Sequence, residues 1–287
     1  MNLGLQASQQ KLLRTSVQGI LRYGVLIVLG TLFIVPFYWM VITSFKTPGQ
    51  AYLFPPTWIP NPISIDAYRL LWGTTIPFNL FIRNTIFIVI FSVIGNLLSS
   101  TLVAFAFARL TWWGRNFWFI VLLATLMLPY QVIMIPVYVI FRQLGWLDTY
   151  LPLIVPTFLG NAFYIFLIRQ FFLTIPKDLE DAARVDGASS LHILWRIFVP
   201  NSMPVLLTVM LFAFVASWND FFGPLLYLRK LEQMTVSVGL SMFAGYRSPN
   251  WPAITAASTL SILPTVVLFV LFQRYFVKGI VLTGMKG

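Results

Sequence analysis

Six long stretches of the sequence contain no Asp, Glu, Lys or Arg, and they constrain the fold more than any other feature. A helix needs about 20 apolar residues to cross the hydrocarbon core of a bilayer. One charge at the centre of such a helix costs about 2.5–3.5 kcal/mol on the insertion scale. The pattern therefore predicts an all-α integral membrane protein with six transmembrane helices, at Tyr23–Phe45, Asn84–Ala108, Asn116–Phe141, Leu151–Ile168, Ile197–Asn219 and Ser248–Gln273.

The composition excludes several classes of protein. Only 9% of the residues are charged, whereas soluble domains carry about 25%. The chain has no cysteine and one histidine, His192, which excludes disulfides and thiolate or His-rich metal sites. The net charge of +11 comes from basic residues scattered between apolar runs, so nucleic acid is not an expected partner. We expect His192 to be an ordinary, partly exposed residue.

The prolines and the N-terminus both fit membrane helices. Spans tolerate proline because neighbouring helices satisfy the freed carbonyls, and kinks are expected at Pro36, Pro129, Pro136, Pro156, Pro204 and Pro264. The basic residues Lys11, Arg14 and Arg22 precede the first span, as in a signal peptide. The apolar run is too long for one and no small-residue cleavage site follows, so a retained span is predicted.

The Lys and Arg count predicts the orientation. With both termini in the cytoplasm, the inside segments hold twelve of these residues and the outside segments seven, as the positive-inside rule requires. The predicted organisation is a cytoplasmic segment over 1–22, a transmembrane domain over 23–276 and a cytoplasmic tail over 277–287.

The loop Arg169–Arg196 is cytoplasmic in this orientation and holds eight of the 27 charges. Pro176 suits a helix start, and the acidic residues that follow it favour the positive end of the helix dipole. Glu180 and Arg184 have the favourable i,i+4 order. These features predict a short helix after Pro176.

A second short helix is predicted after a tight turn. Asp186-Gly187 is a turn signal, and Ser189 or Ser190 can cap a helix through Leu191, Leu194 and Phe198. Small alanines and a glycine at the turn allow close approach by another protein. The alternative is a helical hairpin on the membrane surface that only connects two spans, since helix–turn–helix connectors are common.

The residues of this hairpin form a known pattern. The run Pro-Lys-Asp-Leu-Glu-Asp-Ala-Ala-Arg-Val-Asp-Gly-Ala-Ser over 176–189, with Ile-Phe-Val-Pro over 197–200, resembles the E-A-A-x-x-x-G-x9-I-x-L-P motif. That motif marks permease subunits of binding-protein-dependent ABC importers. The spacing is kept throughout. Asp181 replaces the usual Glu, and Val199 replaces the usual Leu.

Three other segments resemble the carbohydrate branch of this family. Residues 52–60, Tyr-Leu-Phe-Pro-Pro-Thr-Trp-Ile-Pro, follow Ser44-Phe45-Lys46 as in its first outside loop, and Trp218-Asn219-Asp220-Phe221 is similar to its fifth span. The ending over 279–287 resembles the tail of the smaller permease of the maltose transporter.

The resemblance implies a bacterial inner-membrane complex for sugar import by alternating access. Its expected partners are a second homologous permease, two cytoplasmic ATPase subunits and an extracytoplasmic solute-binding protein. The hairpin would be the coupling helix that docks on an ATPase, and its expected docking residues are Glu180, Asp181, Ala182, Ala183, Asp186, Gly187 and Ala188.

This chain is not expected to be an enzyme. The phosphate-loop pattern G-x-x-x-x-G-K-[ST] is absent from the sequence, so no cofactor is expected here and ATP with Mg would bind the partner ATPases. The spans contain neither a Ser-His-Asp set nor a carboxylate pair.

Polar residues inside the spans are the candidates for a solute pathway, because such residues tend to face a bundle interior. The alternative is that they join helices by hydrogen bonds, worth about 0.6 kcal/mol each. The candidates are Asn96, Gln131, Asn161, Ser217, Asn219 and Asp220.

Other function classes remain open to the sequence. A secondary transporter or channel would share the apolar spans but more often carries charges near span centres for ion coupling. A membrane scaffold gives no reason for the spaced motif. Within the importer interpretation, a polyol or glycerol phosphate is the alternative solute.

Overall fold

The computed structural model describes residues 2–73, 77–244 and 250–284, and places the side chains of 19, 21–73, 77–243 and 250–273. The regular elements among these residues are helices, without a strand. The predicted all-α class is therefore confirmed for the described part of the chain.

Fifteen α-helices are present in the described residues. They are α1 (Asn2–Ser44), α2 (Pro48–Ala51), α3 (Asp66–Leu71), α4 (Phe78–Arg109), α5 (Arg115–Ala124), α6 (Tyr130–Gln143), α7 (Leu151–Ile154), α8 (Ala162–Thr174), α9 (Lys177–Val185), α10 (Ser190–Ile193), α11 (Val199–Asn201), α12 (Met203–Trp218), α13 (Phe222–Tyr227), α14 (Val236–Ala244) and α15 (Trp251–Gly284). Short 3₁₀ turns cover Thr125–Met127, Val155–Leu159 and Leu231–Gln233, and a π-helical turn covers Leu194–Phe198.

Four helical segments in the described residues are long and apolar enough to cross a membrane, and two bent helix pairs could raise this to six. The four segments are Leu21–Ser44, Phe78–Arg109, Leu151–Thr174 and Trp251–Gln273. The bent pairs are α5 with α6, and the run Ser190–Asn201 with α12. By length and composition, these helices fit a multi-pass membrane protein.

The third and fifth predicted spans are not single straight helices. The chain bends by 100° between α5 and α6, where Leu128 is extended just before Pro129, because proline pushes the preceding residue out of the helical region. It bends by 84° at Ser202, where Pro204 lacks an N–H and its ring clashes with the carbonyl four residues earlier.

Several predicted boundaries also differ from the structure. The second predicted span begins at Phe78 rather than Asn84. The fourth predicted span continues beyond Ile168 to Thr174, and its helix is interrupted at Gly160. Helix α1 begins at Asn2, within the predicted N-terminal segment. Ser248 and residues 285–287 lie outside the described residues, and α15 extends the last span to Gly284.

The described chain divides into two compact units, residues 1–70 with 246–259, and residues 71–245 with 260–287. In the first unit, Lys46 anchors the loop after α1. Its ammonium group donates a 2.6 Å hydrogen bond to the Thr57 carbonyl and lies 4.0 Å from the Trp39 ring centroid. Burial lowers the pKa of Lys46.

In the second unit, the core lies where α4 packs against α8 and α12. Three buried aromatic rings meet there: the Phe198 centroid is 5.2 Å from those of both Phe105 and Phe172. Side chains of α4 also donate hydrogen bonds to backbone carbonyls of the broken helical stretch over 151–159 beside it. The Ser92 hydroxyl donates to the Leu153 carbonyl at 3.2 Å, and the Ser99 hydroxyl donates to the Thr157 carbonyl at 3.0 Å.

Gly95 allows this close approach, which gives a stability prediction. A Cβ at Gly95 would lie 2.4 Å from the Thr157 Oγ1 and 2.7 Å from the Phe158 ring. We expect Gly95→Ala to lower the free energy of unfolding by about 1–3 kcal/mol, as overpacking does. Denaturant titration of the purified protein in detergent micelles measures this value.

Gly24→Ala is the matched control, because a Cβ there would meet no atom within 4 Å. It should leave the stability unchanged or slightly higher, since alanine favours a helix more than glycine does. Equal losses in the two variants would contradict the packing argument.

Candidate functional site

The hairpin formed by α9 and α10 is rich in charge: six of the seventeen residues over 177–193 are Asp, Glu, Lys or Arg. Helix α9 follows Pro176 and carries Asp178 and Glu180 in its first turn, where carboxylates complement the helix dipole. It ends at Val185, and two residues later Gly187 has a φ of +82°, which suits glycine best. The N–H of Gly187 donates to the Arg184 carbonyl at 3.0 Å, and that of Ala188 donates to the Ala183 carbonyl at 2.9 Å. This pair of bonds is a Schellman cap.

Helix α10 begins two residues after the cap. The Ser189 hydroxyl accepts the N–H of His192 at 3.3 Å, which caps the new helix. His192 is exposed on α10. The chain then continues through the π-helical turn and α11 to Ser202, so the hairpin is joined to α8 at one end and to α12 at the other.

Six of the seven predicted docking residues lie on the exposed or partly exposed surface of the hairpin. Asp181, Ala182, Asp186 and Gly187 are exposed, and Ala183 and Ala188 are half-buried. A Cβ at Gly187 would meet no atom within 4 Å. The turn therefore combines small side chains with open space around Gly187, which suits close contact with another protein.

Glu180, the seventh predicted docking residue, faces inward. Its side chain is 9% exposed, and its Oε1 accepts a 2.7 Å hydrogen bond from Arg184 Nη2. Its Oε2 lies 3.9 Å from Nη1 of Arg109, whose side chain is 4% exposed. Glu180 therefore holds the hairpin against the end of α4.

Arg109 has further contacts that no spacing rule in the sequence indicates. Its Nη2 donates to the carbonyls of Phe172, at 2.5 Å, and of Ile175. Its guanidinium carbon lies 4.7 Å from the Phe198 ring centroid. In the sequence Arg109 is only the first charge after an apolar window, and its partners lie more than sixty positions away.

A cavity of about 440 Å³ lies between α4, α8 and α12. Four of the six predicted pathway residues line it: Asn96, Asn161, Ser217 and Asp220. The other two do not: Gln131 is exposed on α6, and the Asn219 amide donates to the Val215 carbonyl at 2.9 Å.

The sequence did not indicate the two tyrosines in the cavity wall, Tyr130 and Tyr164. Tyrosine joins an apolar ring face to a hydroxyl group, so the wall offers both kinds of surface. The signal that could have found Tyr130 is its position next to Pro129, where the helix breaks.

The polar groups of the cavity wall also have local partners. The Asn96 amide donates to the Ser92 carbonyl at 2.9 Å, and Asn161 Oδ1 accepts the N–H groups of Phe163 and Tyr164. These bonds fix both side chains in place.

Asp220 lies just beyond the end of α12 and belongs to the same wall. Its Oδ1 accepts the Gly223 N–H at 3.0 Å. Burial raises the pKa of Asp220, while hydrogen bonds from the backbone of Gly223 and Phe222 oppose that rise. Within the described residues, no group of three or more His, Cys, Asp or Glu is placed to hold a metal ion.

Comparison with known proteins places the chain in a family. The sequence profile of the family described as "Binding-protein-dependent transport system inner membrane component" matches residues 100–282, well over half of the chain. The chain belongs to this family. The resemblance found in the motif is thereby confirmed, and the family is a transport component of importers rather than an enzyme.

Curated relatives of this inner membrane component are permeases of solute importers. The arabinooligosaccharides transport system permease protein AraQ of Halalkalibacterium halodurans is 32% identical over 79% of this chain and 81% of its own length. The sn-glycerol-3-phosphate transport system permease protein UgpE of Yersinia pestis bv. Antiqua is 32% identical over 90% of this chain and 94% of its own.

A solved structure has the same fold as this inner membrane component. A chain of a bacterial ABC transporter involved in the import of the acidic polysaccharide alginate matches with a TM-score of 0.79 and 26% identity. The match covers 91% of this chain and 96% of that one.

The double hydrogen bond of Asn161 gives a prediction that separates its structural role from any solute contact. We expect Asn161→Ala to lower the free energy of unfolding by about 1 kcal/mol, as loss of an N-cap does. Asn161→Ser should retain the cap and the stability. Denaturant titration in micelles compares the three proteins, and a serine variant as unstable as the alanine variant would contradict the capping role.

Proposed function

We propose that this chain is the permease subunit of an ATP-binding cassette importer in the bacterial inner membrane. It forms half of the pathway for a sugar, with a di- or oligosaccharide as the expected size. The observation that carries the proposal is the α9–α10 hairpin: its turn carries small residues between two capped helices, and the chain leads from it to α8 on one side and toward α12 on the other. Family membership and the relatives of similar length support it.

In this proposal, the hairpin docks on one of two cytoplasmic ATPase subunits. The docking surface is formed by the six outward residues, with Glu180 fixing the helix from behind. ATP and Mg bind the ATPases, because this sequence lacks a phosphate loop. The loop after the fourth span and both termini then lie in the cytoplasm, and each bent helix pair counts as one of six spans.

The proposed mechanism is alternating access. ATP binding closes the two ATPases, and each docked hairpin moves with its cleft. The attached helices turn and open the pathway toward a loaded binding protein outside, with a second, homologous permease forming the other half. The driving force is the higher affinity of ATP for the closed state, since a ligand without such a difference shifts no equilibrium.

The cavity is the proposed part of the solute pathway in this chain. Its amide and hydroxyl groups (Asn96, Asn161, Ser217) can exchange hydrogen bonds with sugar hydroxyls, and its tyrosines offer ring faces to the apolar side of a sugar. Gln131 and Asn219 lie outside the cavity and would serve another stage of transport.

Glycerol phosphate or a polyol is the second candidate solute, favoured by the relative from Yersinia pestis. Against a phosphate stands Asp220 in the cavity wall, because in its ionised form the carboxylate would repel a phosphate strongly in a poorly solvated site. Co-purification distinguishes the importer subunit from a secondary transporter. An ATPase should co-purify with an importer subunit, whereas a secondary transporter needs none.

Gly187→Trp tests the docking surface. We expect the variant to insert normally and to lose solute-stimulated ATP hydrolysis, because the indole holds the hairpin away from its cleft and the positive φ strains any non-glycine residue. The measurement is ATPase activity of the complete reconstituted complex, with and without its loaded binding protein.

Gly145→Trp is the matched control. Gly145 also has a positive φ, of +69°, and open space around its Cβ position, but it lies in a loop predicted to be outside the cell. This variant should keep its stimulation. Normal stimulation in Gly187→Trp, or equal loss in both variants, would count against docking at Gly187.

A further inference from the structure

We propose that Arg109 is the positioning residue that transmits movement of the α9–α10 hairpin to α4, the central helix of the core. The inference rests on the proposed function, because it concerns how a docked hairpin moves the spans. The hairpin is joined covalently to α8 and toward α12 but has no chain connection to α4. Helix α4 packs against α8 and α12, and a direct contact with the hairpin would couple it to the hairpin's movement as well.

The first half of the link joins α4 to the end of α8. Arg109 is the last residue of α4, and its Nη2 donates to the carbonyls of Phe172 and Ile175, at and just past the C-terminal end of α8. The last carbonyls of a helix have no intrahelical donor, and a cation is favourable at that end of the dipole. The fork of N–H donors on a guanidinium suits two carbonyls at once.

The second half joins α4 to the hairpin itself. Arg109 Nη1 and Glu180 Oε2 are 3.9 Å apart, and both side chains are buried. Arg184, on the same hairpin helix, holds the other Glu180 oxygen at 2.7 Å. Buried charges are screened little by salt, and removing one partner leaves the other uncompensated. The pair therefore resists separation of the hairpin from α4.

Aromatic side chains around Arg109 hold its guanidinium in place. Its guanidinium lies over the Phe198 ring, in the π-helical turn that leads from the hairpin toward α12. One turn earlier on α4, Phe105 packs against both Phe198 and Phe172. Four elements (α4, α8, α9 and the π-helical turn) thus meet at one buried side chain.

The test measures how nucleotide binding changes the accessibility of a residue in the cavity wall. The chain has no cysteine, so Ser217→Cys gives this subunit a single thiol in the cavity wall. The complete complex is assembled in nanodiscs, and the rate of maleimide labelling at this thiol is measured with and without a non-hydrolysable ATP analogue. The ratio of the two rates reports how strongly nucleotide binding changes the cavity.

Arg109→Gln and Glu180→Gln are compared in this background. We expect both to retain their ATPases at the wild-type ratio, and the nucleotide-dependent change in labelling rate to fall roughly tenfold, within the usual range of coupling between distant sites. Arg142→Gln is the control, because Arg142 is exposed in the last turn of another membrane helix, α6. It should respond as the wild type does.

Each other outcome is decisive. A wild-type response in Arg109→Gln with its ATPases bound would overturn the proposal. If Arg109→Gln does not assemble with its ATPases, the labelling response of Glu180→Gln is used instead, and a wild-type response there would overturn the proposal. Glu180→Gln leaves the hydrogen bonds from Arg109 to the two carbonyls in place. Failure of both to assemble would also overturn it, because the pair would then serve folding alone. No response in the unmutated background would instead refute the proposed function.

Discussion

A bilayer offers no hydrogen-bond partners to a backbone, and the rest of this structure depends on that constraint. Helices satisfy their own N–H and C=O groups, so irregular backbone at membrane depth must be covered by protein. The 3₁₀ stretch Val155–Leu159 meets this condition, because Ser99 on α4 donates a hydrogen bond to its Thr157 carbonyl and Gly95 allows it to approach closely. The broken helix in turn opens the polar cavity beside it.

The hairpin has the opposite character, because most of its residues are exposed and many are charged. Its charges lie on short helices whose ends are capped by Gly187 and Ser189, and small residues cover the turn. The inward carboxylate of Glu180 connects this polar hairpin to the buried guanidinium of Arg109. The exposed hairpin and the apolar core thus meet at one buried ion pair.

Local rules were enough to predict some features from the sequence. The uncharged windows indicated where the apolar helices lie, and the i,i+4 spacing of Glu180 and Arg184 indicated an ion pair that the structure contains. Pro129 and Pro204 indicated kinks where the two bends lie, but hydrophobicity could not show that these kinks are as large as 100° and 84°. Each bent pair is as apolar as a straight span. Arg109 and the cavity tyrosines were missed because their contacts join residues far apart in the chain.

The proposed function requires the hairpin to bind a separate ATP-hydrolysing subunit. Photo-cross-linking from Val185 tests it most directly, because this side chain is 89% exposed between the docking alanines and the turn. With a photoreactive phenylalanine at Val185, we expect a covalent adduct with a cytoplasmic ATPase, and no such adduct from the same group at Leu144, in the loop predicted to be outside. Capture of the ATPase only from Leu144, or from neither position, would contradict the account.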